Sequence, residues 1–191
     1  MKALAREFYQ QSTTEVARAL LGCYVIHEGE QGKTIGRIVE TEAYLANDPA
    51  SHSYKGESKR NKAMFGEAGQ AYFYLIYGIH YCFNVVTASP GVGEAVLIRA
   101  LEPITGIALM QERRGLQDVI KLCNGPAKLV QALGIGMQFN HADLTHPPLY
   151  IASDSSAKIT SIVATTRIGI TLAADQPLRF YLKDSPYISK P

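Results

Sequence analysis

An α+β fold with a curved, largely antiparallel sheet is what the 191-residue sequence predicts, on three observations. Strand-like runs cluster instead of alternating with helices, two pairs of them read as hairpins, and the helical stretches are few and short. No linker, repeat or low-complexity segment interrupts the chain, so one compact domain over residues 1–191 is expected. Short helices flank the sheet in this reading, and one hairpin protrudes from it.

The elements follow in order. Ser12-Thr13-Thr14-Glu15 has the Ser/Thr-x-x-Glu spacing of a capping box, so a helix is predicted over 13–21 with Gly22 as its stop. "CYVIHEGEQGKTIGRIVETEAYL" reads as two strands joined by a polar, glycine-containing turn. Residues 46–70 are polar, rich in Ser, Lys and Gly, and without period, the signature of a long functional loop. "QAYFYLIYGIHYCFNVVTAS" is a second hairpin turning near Gly78, and "EAVLIRALEP" a buried strand. Helices are predicted around 105–114 and 126–133, the latter opening on Gly125-Pro126 and closing on Gly134. Strands return at "LYIASD", "ATTRIGITL" and "PLRFYLK".

Composition bounds the function. With 47% hydrophobic and 19% charged residues the chain has ordinary globular composition, not that of a disordered segment. A net charge of +2 permits a polyanionic partner without arguing for one. Cys23, Cys82 and Cys123 lie far apart with no C-x-x-C pair, which suits reduced thiols. No apolar run reaches membrane-spanning length, and "MKALAREFYQQSTTEV" lacks the apolar stretch of a secretion signal. An intracellular protein is expected, cytoplasmic and nucleoid-associated or nuclear. His141 and His146 are five apart, but no thiolate or carboxylate completes a quartet, so neither metal nor cofactor is expected.

The strand "IVETEAY" raises the chemical question. Alternate strand residues share a face, so Ile38, Glu40, Glu42 and Tyr44 are expected to project together, with neighbouring carboxylates roughly 7 Å apart at Cα. From the strand alone a solvated face is the simpler explanation of two glutamates. The alternative is a split of roles, one carboxylate buried and reactive and the other paired with Arg37 or Arg99. Nearby His52 and the rings of Tyr72, Tyr74 and Tyr77 offer flat walls for an aromatic ligand, although tyrosine also favours strands for packing. Tyr77 precedes Gly78 at a hairpin tip, where no core requires a ring and where apolar wedges of minor-groove binders sit. Arg99 in "AVLIRALEP" and Asn84 in "YCFNVV" each need a partner inside an apolar strand.

Taken in order, "GRIVETEAYL", "HS", "RNKAMF", "YLIYGIHYCFNV", "LIRALEP", "NGPAKLVQALGI", "TTRIGI" and "PLRFYLKDSPYIS" resemble the alkyladenine (3-methyladenine, or methylpurine) DNA glycosylase family typified by the human enzyme. The resemblance runs from "AREFYQQ" to "SPYIS" and implies the same α+β fold. It places Glu42 on the general base, Arg99 on a residue that positions the attacking water, and the Ile168 carbonyl on a third water ligand. It puts Tyr44 on one face of an extruded base and His52 with Tyr74 on the other, the His52 amide also meeting the base edge. Asn84 falls on the residue that disfavours the exocyclic amine of guanine, and Tyr77 on the side chain that fills the vacated duplex. Glu40 receives no catalytic role and is assigned to structure.

The implied partner is double-stranded DNA carrying damaged purines, met by a monomer, with no membrane. The implied reaction is hydrolysis of the N-glycosidic bond to an abasic site without strand cleavage. Alkylated or deaminated purines are the implied substrates: 3-methyladenine, 7-methylguanine, hypoxanthine and ethenoadenine. Arg60, Lys62 and Lys128 are candidates for backbone contacts, and the helix near Pro126 offers amides to a phosphate. The sequence departs from the human enzyme around "YKGESK" and at His80, which stands in place of an aromatic beside the wedge. Those departures leave lesion preference open. Two rivals stay in view: a carbohydrate glycosidase using Glu40 and Glu42, which the absence of tryptophan disfavours, and a non-catalytic binder of damaged DNA.

Overall fold

The computed structural model describes residues 1–154 and 161–190. The chain opens on β1 (Lys2–Ala3) and α1 (Arg6–Tyr9), elements too short to leave a period in the sequence. Ser12 caps α2 (Thr13–Ala19) as its motif predicts: its hydroxyl accepts from the Glu15 amide at 3.4 Å and donates to the Glu15 carboxylate at 2.6 Å.

The predicted first hairpin is β2 (Tyr24–Gly29) and β3 (Gly32–Tyr44); the second is β4 (Ala71–Ile76) and β5 (His80–Thr87), followed by β6 (Glu94–Thr105). Helices α3 (Ile107–Arg114) and α4 (Pro126–Leu133) come next, bounded by Gly106, Gly115, Gly125 and Gly134. Three strands close the chain: β7 (Leu149–Ser153), β8 (Ile162–Thr165) and β9 (Arg179–Leu182). The strand order is β1-β7-β2-β3-β6-β5-β4, with β9 added to β3 beyond the end of β2 and β8 outside β9. Every pairing among the described residues is antiparallel, and they form one compact α+β domain.

One face of this sheet carries the main core. Val16, Ala17, Leu20 and Leu21 at α2 and Leu129, Ala132 and Leu133 of α4 pack there with Phe73, Phe83, Val96 and Ile98. Phe73 and Phe83 stack with centroids 5.0 Å apart, an arrangement worth about 1 kcal/mol beyond its buried area. The opposite face carries a smaller cluster of Met64, Tyr72, Val86 and Ala95, against which Tyr44, Phe65 and Tyr74 pack. That second face bears the candidate site.

Two bulges decide which residues reach it. The pairing runs Ile38 to Leu101, Glu40 to Ala100 and Thr41 to Ile98, so β3 gains a residue and β6 then gains one in turn. Each extra residue reverses the alternation of its strand. Ile38 and Leu101 therefore lie in the main core together with Ala43 and Ile98. The expectation that Ile38 shares a face with the glutamates is corrected: Glu40, Glu42 and Tyr44 project from the opposite side. A second correction concerns "ATTRIGITL", which is strand only as far as Thr165. Beyond it, Arg167 and Ile168 take their partners from the loop and from β3 instead of from a ladder.

Candidate active site

Glu40 and Glu42 are both fully buried, which settles the question of a solvated face. A buried carboxylate without partners is costly, and each here has several. Glu40 Oε1 accepts from Arg179 Nε at 2.7 Å, Ser189 Oγ at 2.9 Å and Arg99 Nε at 3.2 Å. Its Oε2 accepts from the Ser189 amide at 2.6 Å. Glu42 Oε1 accepts from the Ile168 amide at 2.8 Å, and Oε2 from the Tyr44 hydroxyl at 2.9 Å and Arg99 Nη1 at 3.2 Å. Two glutamates thus meet two arginines, and the cluster is neutral as a whole. Burial lowers the Arg99 guanidinium, but Glu42 and Glu40 outweigh it and hold the group above its ordinary value, as a cation. Arg37, the other base considered for this role, is elsewhere, paired with Glu102 at 2.6 Å.

Beside this cluster lies a cavity of about 620 Å³. Tyr44, Arg99 and Ile168, the three residues bonded to Glu42, all line it. Glu42 itself has no exposed surface, so its carboxylate sits directly behind the cavity wall. Burial, then the charge of Glu42, push the Tyr44 hydroxyl well above the ordinary tyrosine range, so it remains a donor. Aromatic rings make up much of the lining: His52 and Tyr74 meet edge to face at 4.4 Å, and Tyr72 lies 5.7 Å from Tyr74. His52 Nδ1 shares a 2.9 Å hydrogen bond with the Tyr72 hydroxyl, which burial pushes up to about 12. Burial, then Arg60, lower the His52 imidazole, which is neutral at pH 7. Asn84 is buried on the cavity floor, its amide donating to the Tyr72 carbonyl at 3.1 Å.

The long loop is ordered by its own polar groups. Asn61 accepts from the Ser58 amide at 2.6 Å and donates to the His52 carbonyl at 2.8 Å and the Gly56 carbonyl at 3.0 Å. A buried pair of Arg167 and Asp48 ties the start of the loop to the segment after β8. The Arg167 guanidinium also lies 4.7 Å from the Tyr44 ring centroid and bonds the Ala43 carbonyl at 3.1 Å. Tyr44 is thereby held from behind, with its other side toward the cavity. Gly93 shows why β6 must begin as it does: a Cβ there would lie 2.7 Å from Phe65 and 2.9 Å from Ser53.

Tyr77 stands at the rim, 86% exposed, on a hairpin tip where the Ile79 amide bonds the Ile76 carbonyl at 3.3 Å. Its φ of +52° is left-handed, a strained conformation for a tyrosine and one characteristic of functional positions. Arg60 and Lys128 line the cavity, Arg60 bonding the Leu75 carbonyl at 3.1 Å and Lys128 the Asn124 side chain at 2.8 Å. Lys62 is exposed in the 3₁₀ turn Lys62–Phe65 and does not line the cavity.

The structure therefore brings together Glu42, Arg99, Ile168, Tyr44, His52, Tyr74, Asn84 and Tyr77 around one cavity, and leaves Lys62 outside it. The Ile168 amide bonds Glu42, a contact separate from the water contact expected of its carbonyl. Sequence reasoning missed Arg167, Asp48, Asn61, Arg179 and Ser189. Arg179 had a usable signal, a charge amid the apolar alternation of "PLRFYLK", the argument already applied to Arg99. Among the described residues no group of three or more histidines, cysteines or acids is arranged to hold a metal, and no helix is long and apolar enough to cross a membrane.

Comparison with known proteins shows the family of the chain. The family model for methylpurine-DNA glycosylase matches residues 7–186. A protein of Methanoculleus marisnigri is 55% identical over 190 residues, covering 98% of each chain. One of Carboxydothermus hydrogenoformans is 51% identical over 188 residues, again 98% of each. One of Legionella pneumophila is 49% identical over 194 aligned residues and the full length of both. All three carry the provisional name 3-methyladenine DNA glycosylase.

Proposed function

Since the chain belongs to the methylpurine-DNA glycosylase family, a family of DNA repair, we propose that it hydrolyses damaged purines from duplex DNA as a monofunctional enzyme. Its substrates in this reading are 3-methyladenine, 7-methylguanine, hypoxanthine and ethenoadenine, and it meets the duplex as a monomer. The carrying observation is Glu42, an engaged carboxylate directly behind the wall of an aromatic-lined cavity and bonded to three residues of that wall.

The chemistry follows from what the wall residues are. A base within a duplex must leave the stack before an enzyme reaches its glycosidic bond, at a cost of a few kcal/mol. Tyr77, exposed at the rim, fills the vacated step and retains the open state. The extruded purine enters between Tyr44 and the His52–Tyr74 pair. A neutral His52 imposes no repulsion on a cationic base, and electron-rich rings attract one. Asn84 on the floor disfavours the exocyclic amine of guanine. Arg60, Lys128 and the exposed Lys62 contact the DNA backbone.

As the C1′–N bond breaks, its electron pair leaves with the purine and positive charge grows on the sugar. Glu42 stabilises that charge and takes a proton from the water whose oxygen adds to C1′. A cationic 3-methyladenine departs as a neutral base, whereas neutral hypoxanthine or ethenoadenine takes up a proton as it leaves, so the proton lost by water is balanced by one gained by the purine. Glu42 Oε2 carries the Tyr44 and Arg99 bonds in the free protein, while Oε1 carries only the Ile168 amide and keeps a lone pair for water. Arg99 and the Ile168 backbone then orient the water. No lysine is needed as a nucleophile, and the product is an abasic site.

The test is a duplex carrying one ethenoadenine or hypoxanthine, incubated with the protein and then treated with alkali. Strand breaks that require the alkali step support this reading. Breaks without alkali contradict the monofunctional mechanism, and lesion binding without breaks identifies a non-catalytic binder.

A further inference from the structure

We propose that Ser189, on the segment that follows β9, is a positioning residue for the reaction: it holds the Arg99 guanidinium on Glu42 by occupying Glu40. This inference rests on the reading of the site given above. The distances give the logic. Arg99 divides its nitrogens among three partners: Nη1 on Glu42 at 3.2 Å, Nε on Glu40 at 3.2 Å and Nη2 on the Ser189 hydroxyl oxygen at 3.3 Å. Two of those partners are competing carboxylates, both fully buried. An arginine between two equivalent carboxylates has no reason to serve one of them.

Ser189 breaks the equivalence. Its amide donates to Glu40 Oε2 at 2.6 Å and its hydroxyl to Glu40 Oε1 at 2.9 Å, while the same hydroxyl oxygen accepts from Arg99. Arg179 adds a cation to Glu40 Oε1 at 2.7 Å, and its Nη2 bonds the Lys190 carbonyl, which fastens the same segment. Glu40 is thereby satisfied without withdrawing Arg99, and the fork stays aligned with Glu42. A guanidinium presents its donors in a fixed plane, so a third anchor on Nη2 fixes the orientation of Nη1. The hydroxyl is the one part of this arrangement that only Ser or Thr supplies, because the amide bond to Glu40 survives any substitution except proline.

The experiment compares Ser189→Ala, Ser189→Thr, Arg99→Ala and the Ser189→Ala/Arg99→Ala double variant in single-turnover release of ethenoadenine from duplex. Ser189→Ala is expected to slow release about tenfold, the scale of one hydrogen bond to a charged group. Binding of lesion duplex stays at its wild-type value, the urea midpoint falls only slightly because Glu40 keeps three other donors, and Ser189→Thr restores the rate. In the Arg99→Ala background the serine substitution has no further effect, because it acts through that side chain. Wild-type release by Ser189→Ala, or the same tenfold loss with Arg99 already removed, overturns the proposal. Should the wild-type protein release no base, the functional reading fails, and the Arg99 side-chain N–H resonances decide the positioning question separately. They shift in Ser189→Ala if the hydroxyl holds the guanidinium, and unchanged resonances refute it.

Discussion

The backbone N–H of Ile168 donates to Glu42 Oε1 at 2.8 Å across 126 positions of sequence. That bond joins the middle strand of the sheet to the segment after β8 and fixes one oxygen of the carboxylate. The other oxygen is shared by Tyr44 and Arg99. Every partner of Glu42 is itself a wall of the cavity, so events in the cavity are transmitted to the carboxylate through single hydrogen bonds.

Tyr77, exposed at a hairpin tip in a left-handed conformation, is proposed to contact DNA at a cost to the fold. Replacing it with Asn, which tolerates the left-handed conformation, is expected to leave stability unchanged or raise it by up to about 1 kcal/mol in urea unfolding. The same variant should bind lesion duplex at least about tenfold more weakly, since unstacking of the vacated step is then uncompensated. A variant that binds lesion duplex as the wild type does removes the wedge from the account.

Asn84 has one bond to the Tyr72 carbonyl and no exposed surface to speak of. Asn84→Ser shortens the side chain and opens the floor beneath an entering purine, at a stability cost of about 1 kcal/mol. Release of unmodified guanine from undamaged DNA should rise above the wild-type background, read by chromatography of the freed bases. An unchanged guanine signal shows that the floor residue does not discriminate.

Asp48 and Arg167 form a buried pair, and Arg167 Nε already has no partner among the described residues. Asp48→Ala leaves a buried cation uncompensated, which costs about 3–5 kcal/mol. Denaturant unfolding should register that loss, and base release should fall with it because Tyr44 loses its support. A change below about 1 kcal/mol contradicts the importance assigned to the pair.

His27 is buried, with Nδ1 2.8 Å from the Leu133 carbonyl. Burial lowers it below the ordinary value of 6.5, Leu133 opposes the shift, and Arg113 adds to it. His52 is lowered in the same direction. The unfolded chain therefore binds protons before the folded one does, so stability is fully present above pH 6.5 and declines as pH falls through the lowered folded values. Urea unfolding at a series of pH values should show that slope, and His27→Gln should flatten it. Stability that rises as pH falls below 6.5 contradicts the assignment.

Local chemistry made much of this legible in the sequence. The capping box at Ser12, the Gly-Pro opening of α4 and both hairpins each follow from a few adjacent residues. So does the demand for a partner at Arg99, a charge inside an apolar strand. What stayed hidden is long-range. The two bulges around Glu40 leave no mark in a pattern of period two, so the face of Ile38 was misassigned. Arg167 reads as part of a strand because its partner Asp48 lies far back in the loop. Ser189 sits in a short polar run, and only the approach of Glu40 from 149 positions away gives it a role. The roles proposed for Tyr44, Asn84 and Tyr77 rest on resemblance, because a strand tyrosine or a buried amide has a purely structural explanation as well.

The decisive measurement is single-turnover release of ethenoadenine by Glu42→Gln, paired with its affinity for the same lesion duplex. The amide keeps one oxygen, enough for the Ile168 N–H on one side or for the Tyr44 hydroxyl and Arg99 on the other, and it cannot accept the proton of water. Release should fall at least about a hundredfold while lesion binding persists. Release at the wild-type rate contradicts the account, because the carboxylate behind the cavity wall would then take no part in breaking the bond.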